Sequence, residues 1–214
     1  MPAPLNEPST ADAIAAWIAD RMRERDRFRY VYEASERHRE QHGPQCTVYP
    51  SGSGPTLGTL PAATGAKRIL ELGCGLGYSA LWLAYGSSPD GRVETVECDP
   101  SHAALARENF QREGFGERIT VLEGRAVDLL PGLSGPYDLI FCDSDLEEYG
   151  AYPDHFVRLL RLDGLLITSN LFLGRYSLDI PGLDQAAAYR ERILDDQRLL
   201  TAFLPGGVAL SVRR

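Results

Sequence analysis

The sequence predicts an α/β fold with a seven-stranded sheet, helices on both faces and an antiparallel C-terminal hairpin. From residue 67 onward, short apolar runs alternate with helix-length amphipathic ones, which is typical of parallel strands joined by crossover helices. The chain then closes with two apolar runs around Pro205-Gly206-Gly207, the pattern of a hairpin. With 214 residues it is long enough for a single α/β domain.

The N-terminal part, residues 1–42, is predicted as a helical segment that precedes the sheet. After a proline-rich opening, Ser9 or Thr10 can cap a helix whose apolar positions follow helical spacing and whose polar continuation reaches residue 41. Segment 43–58 is rich in proline and glycine, so it is predicted as a loop across the mouth of the binding cleft. It leads into the ligand-binding part of the single domain, residues 43–214.

The remaining elements follow the same alternation. Strands are predicted at 68–73, 92–97, 118–123, 137–142 and 164–169, and helices at 77–86, 101–113, 150–161 and 183–196. The second of these helices has clear boundaries, because Asp99 can cap it, Pro100 suits its first turn and Gly114 can end it. The closing hairpin pairs 199–204 with 208–212.

The strongest functional signal lies in segment 68–79, where a buried-strand pattern runs into a glycine turn and a helix start. The glycines are Gly73, Gly75 and Gly77. Such a turn offers backbone N–H groups and, near Ser79, a helix N-terminus, while the missing Cβ atoms let a ligand approach closely. Glu71 precedes the turn, and Glu97 ends the next apolar run, where an acid is placed to accept the hydroxyls of a ribose. An adenosine-bearing ligand is therefore predicted.

Two other nucleotide-binding loops fit this segment less well. The dinucleotide fingerprint needs its third glycine at relative position 6, which is Tyr78 here, so a nicotinamide-dependent oxidoreductase is disfavoured. A phosphate-gripping Walker loop is excluded, because no Gly-Lys-Ser/Thr follows the glycines.

Polar or small side chains follow the later strands, at the sheet edge where open α/β sheets bind ligands. Ala126 follows the third strand and is placed to face an adenine. Asp143 and Asp145 follow the fourth strand two residues apart, so in an extended segment their side chains share a face. This face is expected to lie near the reactive group of the bound ligand. Ser169 and Asn170 follow the fifth strand.

Several motifs of the chain agree in order and spacing with those of one enzyme family. They are the acid-x-Gly-x-Gly-x-Gly pattern of residues 71–77, the stretches 137–145, 159–166 and 170–174, and Tyr149 and Tyr152. Through them, residue 45 to the C-terminus resembles class I S-adenosylmethionine (SAM)-dependent methyltransferases, and especially the small bacterial members of the catechol and caffeoyl-CoA O-methyltransferase family. The resemblance implies a Rossmann-like sheet, SAM as methyl donor, a phenolic hydroxyl as acceptor and a divalent metal.

The resemblance also assigns site positions. Those that contact the cofactor match Glu71, Gly73, Ser79, Glu97, Ala126 and Asp143, and the predicted cofactor set further includes Gly75, Gly77 and Tyr152. The metal-ligand positions match Asp143 and Asn170. Two family positions differ, because the second metal carboxylate is replaced by Ser169 and the catalytic lysine by Leu146. Magnesium prefers charged oxygen ligands, so its role is predicted to be weak or lost.

The predicted catalytic residues are Asp143, Asp145 and Asn170. With no lysine at position 146, the base is either Asp145 or one of two histidines, His42 and His155. Because the sulfonium group of SAM is already an activated methyl donor, a site that aligns the acceptor and excludes water suffices for methyl transfer. The same two replacements also suit an alternative, a catalytically silent SAM-binding protein that regulates or scaffolds a partner.

Bulk properties limit the partners. The net charge of −8 argues against a nucleic-acid partner, so a small-molecule acceptor is expected. An aromatic pocket for this acceptor is predicted from Tyr149, Tyr152, Phe172 and Tyr176.

No apolar run is long enough for a membrane span, and residues 1–8 lack the features of a signal peptide, which together predict a cytoplasmic protein with reduced cysteines. The apolar stripe of Ile14, Trp17 and Ile18 needs a cover, either its own sheet or another subunit. The family resemblance favours a homodimer.

Overall fold

The fold is known from a computed structural model that describes residues 10–43, 46–50, 54–173 and 180–214. Its strands are β1 (Arg68–Leu72), β2 (Arg92–Glu97), β3 (Ile119–Glu123), β4 (Tyr137–Cys142), β5 (Leu160–Thr168), β6 (Leu199–Leu204) and β7 (Val208–Arg213). Its helices are α1 (Thr10–Glu24), α2 (Arg29–His42), α3 (Gly54–Thr64), α4 (Tyr78–Gly86), α5 (Pro100–Arg112), α6 (Ala126–Leu129), α7 (Pro153–Leu159) and α8 (Leu183–Asp195).

All seven strands form one sheet in the order β3-β2-β1-β4-β5-β7-β6. Strands β1 to β5 are parallel, and β7 lies between β5 and β6, antiparallel to both. Alternate residues of β1 enter separate apolar cores on the two faces, with Ile69 in one and Leu70 in the other. The predicted seven-stranded α/β fold with an antiparallel hairpin is thus confirmed, and the carboxyl ends of five strands meet at one edge.

The single N-terminal helix predicted from the sequence is in fact two helices. Helix α1 ends at Glu24 and α2 begins at Arg29. In the turn between them, the Asp26 carboxylate accepts hydrogen bonds from the Tyr78 hydroxyl at 2.7 Å and the Trp82 indole at 3.2 Å. Phe28 follows and is fully buried, edge-on to Trp82. The break lets this segment dock on α4, which a continuous helix would not allow.

Two other boundaries also differ from prediction. Residues 54–58, predicted as loop, form the first part of α3, where Pro55 is tolerated because the first helical turn needs no N–H at that position. The helix predicted at 150–161 is a 3-10 turn, Leu146–Ala151, followed by the short α7. The chain is already extended at Leu160, which pairs with Tyr137 of β4.

The apolar stripe of α1 is not covered by the described part of its own chain. The side chains of Ile14 and Trp17 are 54% and 63% exposed. None of the helices in the described ranges has the length and apolar character that a membrane crossing requires.

Candidate active site

The glycine turn after β1 is fixed by backbone geometry. The N–H groups of Gly73 and Cys74 both donate to the Val96 carbonyl oxygen at 3.1 Å, which ties the turn to β2. Gly73 has a φ of +95°, and a Cβ at this position would overlap the carbonyl oxygen of Asp143. A Cβ at Gly77 would overlap the Phe110 ring. Gly75 is half-exposed, and among the described residues a Cβ added there would meet only Val48, so it is the glycine of the turn that is open to a ligand.

Glu97 lies at the tip of β2 beside this turn. One of its carboxylate oxygens accepts the Gly75 N–H at 2.7 Å, and the other accepts the Asp99 N–H at 2.9 Å. These bonds fix the orientation of the carboxylate and leave lone pairs on both oxygens for further donors. The predicted acid at the end of β2 is therefore brought to the glycine turn.

Glu71 is fully buried beneath the turn. Its Oε2 accepts the Thr95 hydroxyl at 2.5 Å, whereas its Oε1 finds no hydrogen-bond partner among the described residues. The pKa of Glu71 is raised to about 8, chiefly by burial; the Ser79 and Thr95 hydroxyls oppose this rise, and nearby Asp143 and Glu97 add to it. A cationic ligand would favour the ionised form of this carboxyl group.

Asp143 follows β4, next to the glycine turn. Its N–H donates to the Leu72 carbonyl at 2.9 Å, and its half-buried carboxylate accepts a hydrogen bond from the Asn170 amide. Burial raises the pKa of Asp143 to about 6, against the lowering effect of the neighbouring Ser169 and Asn170 side chains. Asn170 has a φ of +64°, a left-handed conformation that asparagine adopts more readily than most residues.

The residues at the metal-ligand positions are close together, but they differ from a strong magnesium site. Asp143 is the only carboxylate among them, and the Ser169 hydroxyl is directed to the Cys142 carbonyl oxygen at 3.4 Å. Leu146, at the lysine position, is buried in the core against Gly182. A hard dication would have one charged ligand here, so these residues do not fit a tightly held Mg²⁺.

The other predicted catalytic groups lie apart from this cluster. Asp145 is exposed, and its carboxylate caps the 3-10 turn by accepting the Glu147 N–H at 3.0 Å, so only Asp143 of the two aspartates contacts Asn170. His42 is exposed at the end of α2 and contacts the His38 carbonyl oxygen. His155 lies on α7 and is half-buried.

Ala126 and Tyr152, two residues of the predicted cofactor set, are both buried. Ala126 begins α6 directly beyond β3, as the adenine prediction requires, and is 5% exposed. Tyr152 has no exposed surface, and its hydroxyl contacts Glu148 at 2.7 Å and Ser144 at 3.1 Å. Tyr152 therefore supports the loop after β4, and its contact with the cofactor stays a prediction.

Two of the four residues of the predicted aromatic acceptor pocket are core residues in the described part of the chain. Tyr149 and Tyr152 are fully buried and pack in the core near Tyr189 and Phe156. Phe172 is half-buried and edge-on to Phe203, and Tyr176 lies outside the described residues. Aromatic residues after strand ends serve packing as readily as binding, and the sequence alone does not distinguish these roles.

Three supporting residues were not identified from the sequence. Thr95 bonds to Glu71 across β1 and β2, Asn109 donates to the Leu76 carbonyl at 2.9 Å, and Glu148 accepts from Arg125, from the Val127 N–H and from Tyr152. The strand register Glu71↔Thr95 would have located the first once the pairing was known. The other two bridge distant segments and leave no local signal.

The sheet order and the acidic, glycine-lined carboxyl edge define a Rossmann-like nucleoside-binding fold. Residues 27–212 match the family model described as O-methyltransferase. The chain therefore belongs to this O-methyltransferase family.

Individual relatives agree with this assignment. Catechol O-methyltransferase of Mycobacterium tuberculosis (strain ATCC 25618 / H37Rv) is 43% identical over 122 residues, which cover 56% of each chain. Catechol O-methyltransferase of Niastella koreensis is 38% identical over 140 residues, covering 64% of this chain and 63% of the relative. The matches thus span less than two thirds of these relatives. The O-methyltransferase of Bacillus cereus in complex with SAH has a TM-score of 0.72 at 27% identity, covering 86% of this chain and 91% of that one.

Proposed function

We propose that this protein transfers the methyl group of SAM to a hydroxyl oxygen of a small-molecule acceptor, with weak or absent dependence on a metal. The observation that carries the proposal is the juxtaposition of Gly75, Glu97 and Asp143 at three neighbouring strand ends, within the fold of an O-methyltransferase family. A family structure in complex with SAH supports the choice of cofactor.

The charges of the site suit SAM, which carries a sulfonium and an amino group. Glu71, Glu97 and Asp143 lie close enough for the latter two to raise the pKa of Glu71, so a cation among them relieves mutual repulsion. We expect the remaining lone pairs of Glu97 to accept the ribose hydroxyls, and we expect Gly75 to allow close approach of the ligand to the backbone. When bound, SAM supplies an activated methyl group, and the protein positions the acceptor in line with it.

The acceptor side is proposed to be built around Asp143 and Asn170. Asp143 is half-buried and held by the Asn170 amide, so it is positioned to orient the acceptor hydroxyl and take its proton. A phenolic acceptor is proposed because the two curated relatives above are named catechol O-methyltransferases. No step is assigned to a metal, since Ser169 replaces the carboxylate expected at the second metal-ligand position.

We also propose that the protein is a homodimer and that it is located in the cytoplasm. The exposed Ile14, Trp17 and Ile18 on α1 form an apolar stripe that a second copy of the chain would cover. All four cysteines are free thiols, which agrees with a reducing compartment. Sedimentation of the wild type and of Trp17→Glu tests the dimer; an unchanged dimer in the variant would exclude this stripe as the interface.

Binding and turnover need separate tests. Calorimetric titration with SAH is expected to show one site per chain, and incubation with SAM and a panel of phenols and catechols is expected to yield a product one methyl group heavier. EDTA is expected to leave most of the turnover, and added Mg²⁺ to change it little. No heat with SAH would refute the cofactor assignment, whereas SAH binding without any methylated product would favour the catalytically silent alternative.

The matched pair Asp143→Asn and Asp145→Asn tests the proposed roles of the two aspartates. Asp143→Asn is expected to reduce turnover by roughly 10²–10⁴-fold, the range for loss of a general base. Asp145→Asn is expected to retain turnover, since Asp145 caps an exposed turn. Equal losses in the two variants would contradict this assignment.

A further inference from the structure

A cluster of nitrogen and sulfur ligands lies outside the proposed active site. It consists of His38 on α2, Cys46 in segment 46–50 and His102 in the first turn of α5. One ligand atom from each of the three side chains lies within 4.8 Å of the other two. Cys46 and His102 are buried, and His38 is half-buried. Neither the methyl-transfer chemistry nor the cofactor contacts proposed above use these side chains.

We propose that His38, Cys46 and His102 form a binding site for Zn²⁺. Thiolate and imidazole are the ligands that this borderline-soft ion prefers, at about 2.3 Å for sulfur and about 2.0–2.1 Å for nitrogen. Tetrahedral coordination with such bonds separates the ligand atoms by roughly 3.3–3.6 Å. The observed spacing is therefore a small side-chain adjustment away from a three-ligand site.

The hydrogen bonding of His102 supports a ligand at this position. Its side chain is buried, yet its Nδ1 has no hydrogen-bond partner within the described part of the chain. The Glu97 Oε1 is 3.7 Å from Nδ1 and the Asp99 Oδ2 is 4.0 Å from Nε2, both beyond a normal hydrogen bond. A histidine retained only for packing would be expected to satisfy its buried polar atoms, whereas a metal-binding histidine commonly has a carboxylate beside its second nitrogen.

A fourth coordination position is available next to the cluster. The His42 ring stacks on that of His38 with centroids 4.0 Å apart, and the His38 ring meets that of His102 edge-on at 5.0 Å. His42 is exposed, so either its imidazole or a water molecule can complete a tetrahedral shell.

The bound ion would join three separate segments near the cofactor cleft. It would connect α2, the 46–50 segment and α5, and Val48 of that segment lies beside Gly75. Binding to the folded protein alone stabilises it by mass action. We therefore expect added Zn²⁺ to raise the melting temperature of the free protein.

Titration of the metal-free full-length chain with Zn²⁺ against a zinc-sensitive dye tests the site, with one ion per chain as the expected result. Cys46→Ser and His38→Gln are each expected to weaken binding at least about 100-fold, the upper range for changes around a metal site. Cys98→Ser, which alters an exposed thiol, is the matched control and is expected to leave the affinity unchanged. Equal affinities in Cys46→Ser and the wild type would overturn the proposal.

Cobalt substitution distinguishes this site from the oxygen ligands around Asp143. The Co²⁺ complex of the wild type is expected to show a thiolate charge-transfer band that is absent from Cys46→Ser. A complex without that band would overturn the proposal, because the ion would then be held elsewhere. His38 is half-buried, so His38→Gln is expected to fold, with SAH binding and circular dichroism as checks that do not depend on the metal.

Discussion

Two halves of the same sheet edge differ in how they are built. At the ends of β1 and β2, Glu97 and the glycine turn are bonded to each other through the backbone, and Glu71 is enclosed below them. At the ends of β4 and β5, Asp143 and Asn170 are half-exposed, with the uncharged Ser169 beside them and the apolar Leu146 in the core nearby.

This difference indicates that the β4–β5 half tolerates substitutions that the β1–β2 half does not. The β1–β2 half makes its bonds through backbone groups and buried carboxylates, so nearly any change disturbs the turn itself. The β4–β5 half presents side chains, which can be replaced without moving the backbone. The first half suits a constant cofactor, and the second half suits a changing acceptor and a changing need for metal.

The strongest test of the rigid half is Gly73→Ala. The new Cβ would overlap the Asp143 carbonyl at a φ of +95°, so we expect a large loss of thermal stability together with loss of SAH binding. Gly114→Ala is the control, because Gly114 also has a positive φ but a Cβ added there would have no neighbouring atom within 4 Å. It should show only the conformational cost of about 1–2 kcal/mol and bind SAH normally. Similar behaviour of the two variants, measured by calorimetry and thermal melting, would refute the close-approach argument.

A smaller effect is expected from Glu97→Gln. Both oxygens of Glu97 accept backbone N–H groups, so an amide nitrogen in place of one oxygen would face a donor. Hydrogen bonds to charged groups contribute about 1.5–3 kcal/mol, which corresponds to a loss of roughly 10–100-fold in SAH affinity. Glu123→Gln is a matched control on β3, in register with Glu97 but exposed and paired with Arg107. Retained SAH affinity in Glu97→Gln would contradict the proposal that Glu97 binds the ribose.

The variable half can be tested by gain of function. Ser169→Asp places a second carboxylate beside Asp143, so we expect Mg²⁺ affinity, measured by calorimetry in the presence of SAH, to rise at least about tenfold. Ser169→Asn changes the size similarly without adding charge and should not produce this gain. If the wild type already binds Mg²⁺ tightly, the interpretation of Ser169 is wrong.

A further expected effect is a change in the pH dependence of stability through Glu71. Its pKa is about 8 in the folded protein, against an ordinary value of 4.5. Between these values the unfolded chain has lost the proton that the folded chain keeps, so the free energy of unfolding falls as pH rises. Glu71→Gln removes this contribution, and its melting temperature should therefore fall less than that of the wild type between about pH 5 and about pH 8. Parallel curves would show that Glu71 is ionised in the free protein.

Much of the fold was readable because its signals are local. The alternation of apolar runs and amphipathic segments predicted strands β1 to β5, and the Pro205-Gly206-Gly207 turn predicted the hairpin. Two boundaries were predicted wrongly because contacts with distant residues determine them. The helix break before Phe28 depends on Trp82 and Tyr78, and the early start of β5 depends on Tyr137. A local pattern carries no information about such partners.

The sequence by itself determined the sheet, the glycine turn and the acids at the strand ends, because each depends on the conformational preference or polarity of neighbouring residues. The tertiary structure alone decided that Asp143 contacts Asn170 while Asp145 caps a turn, that Tyr149 and Tyr152 are core residues, and that His38, Cys46 and His102 meet. These outcomes depend on how separate segments pack around one another, and that packing is a property of the whole chain.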